Sequence, residues 1–204
     1  VSVGAALSVI DAVTDVYVIS NYYESPDLVN QAHWLLAMIS TCILVQVVFV
    51  FGQYEKKGWG VKLKEVLITV TFLRPAVDAY RVSTNHVDHE TSITPLVEMI
   101  INKAIECVTE AIPGCVLQLY VWLKSREEAG TFALVSIGVS ALTTGYTSAT
   151  ISFSLDTDQA HRAAQPSFYG FVPNNHVERG RTFVLMTMIS TLHNLSRSVG
   201  CALL

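Results

Sequence analysis

Four pairs of ionisable residues stand four positions apart inside otherwise apolar stretches of this chain: Asp11/Asp15, Arg74/Asp78, Glu106/Glu110 and His193/Arg197. On a helix that spacing puts both members of a pair on one face. A charge in apolar surroundings is costly, so such groups either pair with one another or line a wet polar path. Both accounts stay open on sequence alone. Pairing would use the two cations, Arg74 and Arg197, to lock the elements together. Yet Asp11, Asp15, Asp78, Glu106 and Glu110 outnumber them, and surplus carboxylates must be protonated or hydrated. That surplus is the argument for a path.

Covalent chemistry has no such support. The chain holds no P-loop, nucleophile elbow or glycine-rich phosphate loop, so it is not expected to be an enzyme. His86, His89 and Glu90 have metal-like spacing but no third strong ligand nearby, and a solvated loop is the expectation. No metal or cofactor is expected. Asn194-Leu195-Ser196 has the glycosylation pattern but falls within an apolar helix, where it should be inaccessible. A further row of polar groups, Ser136, Ser140, Thr144, Ser148 and Ser152, repeats every fourth residue beside the small residues Ala141, Gly145 and Ala149. Close helix packing explains it if each hydroxyl bonds back to a carbonyl one turn earlier. A hydroxyl ladder for polar headgroups explains it too.

The elements that must position these residues follow from composition. Of 204 residues, 51% are hydrophobic and 15% charged, against about 25% charged in soluble domains. The net charge of −4 gives no basic field for nucleic acid. The four cysteines, Cys42, Cys107, Cys115 and Cys201, lie in apolar segments without paired spacing and read as buried thiols. Predicted helices run from about Val3 to Tyr23 and from about Val29 to Gln53, with Leu35 to Phe51 free of charge. An uncharged run of such length points to a membrane span rather than a soluble bundle.

After a lysine-rich loop, the short run VLITVTFL reaches about half-way across a bilayer before Arg74-Pro75 interrupts it. A long helix from about Ile93 to Leu123 follows, with a kink expected at Pro113-Gly114. Another is charge-free from Gly130 to Leu155, a polar loop covers Asp156 to Arg181, and a last helix starts at Thr182.

Positive residues near span ends set topology. If the third segment dips in and returns, Lys56, Lys57, Lys62, Lys64, Arg81, Lys103, Arg162, Arg179 and Arg181 fall on the inner side, against Lys124 and Arg126 outside. Full crossing leaves six against five and no bias. The predicted fold is therefore an all-α polytopic membrane protein with about five spanning helices and one re-entrant half-helix, its first helix starting in the cytoplasm.

Several stretches then carry a resemblance. IDAVTDVYVISNYY resembles the first helix of the XK-related membrane proteins, with its two aspartates four apart. LRPAVDAYRV resembles their membrane-dipping segment. AIECVTEAIPGCVLQLYVWL resembles their most characteristic run, which Glu110, Pro113, Leu117 and Gln118 match; Gly114 stands where that family usually has glutamine. SALTTGYTSATISFSLDTD with Arg162 is similar to their fifth helix and following loop.

The resemblance implies a single transmembrane domain over 1–204, with a first repeat at 1–124 and part of a second at 130–204, read as a piece of a longer protein. It also brings Gln118 into the buried polar set. It implies phospholipid scrambling between leaflets without ATP, with phosphatidylserine exposed at the plasma membrane. The alternatives are a transporter or channel for a small polar solute or ion, and an accessory protein that docks a lipid-transfer partner or partner subunit through the loops at 54–64 and 156–181.

Overall fold

The computed structural model describes residues 2–84 and 93–204, and within them every regular element is helical. His86, His89 and Glu90 lie outside the described residues. Helix α1 (Ser2–Glu24) is 23 residues long, about 34 Å. Ser25-Pro26 ends it, since proline offers no N–H to continue the ladder. A 3-10 turn (Pro26–Leu28) then leads into α2 (Val29–Gln53). The two helices and a later one close around Val18, Ile19, Tyr22, Leu35, Ile39 and Val121. This apolar cluster fills the end of the fold where α1 stops and α2 begins.

Two short helices come next, α3 (Trp59–Val70) and α4 (Arg74–Ser83), joined by a tight turn. Phe72 in that turn has φ 58°, a left-handed conformation that costs an aromatic residue about 1–2 kcal/mol. With 12 and 10 residues, neither helix is long enough to cross a bilayer. The expected half-helix is thus a helical hairpin. Its first arm begins at Trp59 rather than within the apolar run, so the charged residue Glu65 comes with it.

Helix α5 (Pro95–Glu106) passes through a π-turn (Cys107–Ala111) into α6 (Ile112–Lys124). The expected break at Pro113-Gly114 therefore lies one turn earlier. Pro113 has no N–H for the carbonyl of Thr109, four residues back. The ladder re-registers around that orphan acceptor, inside the π-turn. A short helix α7 (Arg126–Ala129) leads to α8 (Phe132–Thr157), then α9 (Gln159–Ala164) and α10 (His176–Ala202). The loop before α10 is tied to the end of α8. The Asp156 carboxylate accepts the backbone N–H groups of Gly170, Phe171 and Val172 at 2.8, 3.1 and 2.8 Å.

Among the described residues, four helical stretches are long and apolar enough to cross a membrane: Val3–Glu24, Pro26–Gln53, Pro95–Lys124 and Phe132–Thr157. The chain is an all-α polytopic membrane protein with four such spans, where sequence suggested about five. Helix α10, the expected fifth, has 27 residues but is interrupted by Glu178, Arg179, Arg181, His193 and Arg197. It packs along α8 and α6. Gly145 makes the close approach possible, for a Cβ there would stand 2.0 Å from Thr191 Oγ1 and 2.7 Å from Thr191 N.

Candidate functional site

A column of buried polar side chains runs between α1, α2, the α3–α4 hairpin, α5, α6 and α8. At the end where α2 meets the hairpin, Arg74 is 2% exposed and gathers three carboxylates. Its Nη1 donates to Glu65 Oε2 at 2.9 Å and its Nη2 to Glu98 Oε1. Nε lies 3.1 Å from Asp78 Oδ1, with the N–H not aimed at the oxygen. Arg81, about two helical turns further on, donates to Glu65 and, at 3.0 Å, to the Tyr54 hydroxyl, which itself donates to Glu98 at 3.3 Å. Asn102 donates to Asp78 Oδ2 at 2.9 Å. The hairpin is thus clamped to α2 and α5 by charge, in addition to the packing of Phe72 against the apolar cluster.

Deeper along α5, Lys103 donates to the Ser8 hydroxyl and to Glu106 Oε2 at 2.7 Å. Beyond it, the donors are neutral. Ser140 donates to Asp11 Oδ1 at 2.5 Å, and Asp15 Oδ1 accepts from Ser136 at 2.8 Å and from Gln118 at 2.9 Å. Nine and thirteen residues from Ser2, these two aspartates bracket the midpoint of α1. The next turns of α1 carry Val18, Ile19 and Tyr22, so the column ends against the apolar cluster. Three cations (Arg74, Arg81, Lys103) stand in the column against seven carboxylates (Glu65, Asp78, Glu98, Glu106, Glu110, Asp11, Asp15). Arg74 and Arg81 are at the hairpin end, and Lys103 stands between them and the two aspartates of α1.

A cavity opens beside the column, lined among others by Ser8, Asp11, Asp78, Asn102, Glu106 and Glu110. It measures about 570 Å³ with its open mouth, room for several water molecules. Asn102 Oδ1 and Asp78 Oδ1 are buried without a hydrogen-bond donor, and water is the partner such groups ordinarily take. No group of three or more His, Cys, Asp or Glu among the described residues is placed to hold a metal ion.

Sequence reasoning singled out Asp11, Asp15, Arg74, Asp78, Glu106, Glu110 and Gln118, and the structure brings all seven to the column. Two others are corrected. His193 and Arg197 are exposed. Helix α10 turns Thr191, Leu195, Ser198 and Ala202 toward the bundle. Two residues further on, a side chain has rotated by about 200° and faces away.

The hydroxyl row divides for a related reason. Ser136, Ser140 and Thr144 are buried, whereas Ser148 and Ser152 are exposed. A step of four residues drifts by about 40°, so five members turn through about 160° and cannot share one interface. Ser136 and Ser140 give their protons to the aspartates of α1 instead of bonding back along their own helix.

Tyr54, Glu65, Arg81, Glu98, Asn102 and Lys103 were missed. Glu98, Asn102 and Glu106 do repeat every fourth residue, a signal as good as the pairs that were used. Arg81 and Lys103 were instead counted as flanking charges. Without them seven cations still face two, because nine less two leaves Lys56, Lys57, Lys62, Lys64, Arg162, Arg179 and Arg181.

Against known proteins, the model of one family, described as XK-related protein, matches residues 1–173. That stretch contains every residue of the column. No curated protein and no solved structure matches.

Proposed function

Because the chain belongs to the XK-related family, we propose that it takes part in moving phospholipids in both directions between membrane leaflets without ATP, exposing phosphatidylserine at the plasma membrane. The observation that carries this reading is the polar column reaching the midpoint of α1. Most of the barrier to flipping a lipid is the desolvation of its headgroup. A row of carboxylates, amides and hydroxyls beside a water-sized cavity lowers that cost while the tails stay in hydrocarbon. The apolar cluster around Val18, Tyr22 and Val121 closes the far end, so passage requires α1, α2 and α6 to part there. The reading involves no covalent step, cofactor or metal. Its partners are phospholipids, and in the accessory variant a lipid-transfer protein on the cytoplasmic loops.

The test uses purified full-length protein in liposomes carrying a fluorescent lipid, bleached by dithionite from outside. Empty liposomes protect the inner leaflet; a scramblase removes the protection. Glu110, which sits in the π-turn and lines the cavity, is the first residue to change. Glu110→Gln is expected to slow the loss of protection while the protein stays folded in detergent. Protection equal to that of empty liposomes rejects scrambling and favours the accessory role. Saturable uptake of one small solute favours a transporter.

A further inference from the structure

We propose that Lys103 marks a lateral lipid portal, where it holds the phosphate of a phospholipid whose acyl chain lies in an apolar groove and whose amine points into the acidic cavity. The inference rests on the scramblase reading for its purpose, but its observation is separate. A second cavity, about 410 Å³ with its open mouth, lies between α1, α5 and α8. Ala5, Met99, Ile100, Tyr146, Thr147 and Ile151 line it, and its surface is almost wholly apolar. Gly4 lets the Tyr146 ring form one wall, because a Cβ there would come within 2.6 Å of Tyr146 Cε1. The polar cavity and this groove share two lining residues, Pro75 and Lys103. Lys103 therefore stands at their junction, its methylene stem beside the groove and its ammonium beside the acids.

The order of charge matches one class of ligand. Lys103 lines both cavities, whereas its partner Glu106, with Asp11 and Glu110, lines the polar cavity and not the groove. From the tails outward, a choline or ethanolamine lipid presents its anionic phosphate and then its cationic amine. Lys103 uses two of its three N–H donors on Ser8 and Glu106, which leaves one for a phosphate oxygen. Phosphatidylglycerol has the phosphate but no cation, and the surplus carboxylates disfavour it.

The test places full-length protein in nanodiscs containing a tail-diazirine phosphatidylcholine or phosphatidylglycerol, and maps cross-links by mass spectrometry. Labelling at Met99, Ile100 and Ile151 is expected with phosphatidylcholine and is weaker with phosphatidylglycerol. Lys103→Gln should reduce it by about ten-fold, the loss of one charge-assisted hydrogen bond, while Lys103→Arg retains it. Labelling at Leu142, exposed on α8, should not change. Groove labelling no different from Leu142 and indifferent to headgroup overturns the proposal, and the wild-type comparison decides this even if Lys103→Gln misfolds. Selective groove labelling in a protein that does not scramble overturns the scramblase reading and leaves the portal standing.

Discussion

Arg74 holds the hairpin end of the column together. It is buried, and so are the three carboxylates around it, Glu65, Asp78 and Glu98. A buried ion pair adds little over an apolar replacement, but removing one partner leaves the others unpaired. Arg74→Gln is therefore expected to destabilise the protein by about 3–5 kcal/mol, read as a shift in SDS-induced unfolding in detergent. Arg74→Lys should recover only part of the loss, since an ammonium cannot reproduce the planar fork that reaches Glu65 and Glu98 together. Wild-type unfolding in either variant would remove the clamp from the account. Asp11 and Asp15 are of another kind. Their donors are two serines and a glutamine, which orient the carboxylates without neutralising them.

At the level of elements, glycine placement separates packing from tolerance along α8. Gly145 meets the backbone of Thr191 on α10, whereas Gly138 has nothing within 4 Å of an added Cβ. Gly145→Ala forces the helices apart and should cost about 1–3 kcal/mol, the usual range for overpacking. Gly138→Ala should raise stability by about 0.5–1 kcal/mol through lost backbone freedom in the unfolded chain. The pair, compared in the same detergent by thermal aggregation, isolates the α8–α10 contact. Equal effects of the two would show that α10 does not depend on this approach. The π-turn gives the α5–α6 rod its own local irregularity, with Glu106 just before the widened turn and Glu110 within it.

For the whole molecule, the charge bias fixes orientation. Lys56, Lys57, Lys62 and Lys64 surround the start of α3, and Arg162, Arg179 and Arg181 surround the loop before α10, so both regions are expected to face the cytoplasm. The hairpin of α3 and α4, too short to cross, is what allows two successive spans, α2 and α5–α6, to meet at that side. Cysteines introduced at Gly58 and Gly170 should react with an impermeant maleimide only after permeabilisation, while one at Ser25 reacts in intact cells. The background is Cys107→Ser with Cys201→Ser, because Cys201 is exposed and Cys107 half-buried, while Cys42 and Cys115 are buried. Labelling of Gly58 from outside at the rate of Ser25 would mean that the third segment crosses.

Sequence alone determined the class of the protein, the limits of α1 and α2, and, apart from Gln118, which the resemblance supplied, six members of the column. Those follow from local facts: uncharged length, proline as a stop, and a spacing of four that keeps two residues on one face. Which charges meet depended on tertiary structure. Arg74 finds Glu65 and Glu98 only because a left-handed turn at Phe72 folds α4 back beside α5. Ser140 finds Asp11 across 129 positions of sequence. His193 and Arg197 share the spacing of the other pairs and yet face away, because the face of α10 that packs is chosen by Gly145 and the small side chains around it. A repeat of four fixes which residues are neighbours on a helix; the direction that face points is set by what packs against it.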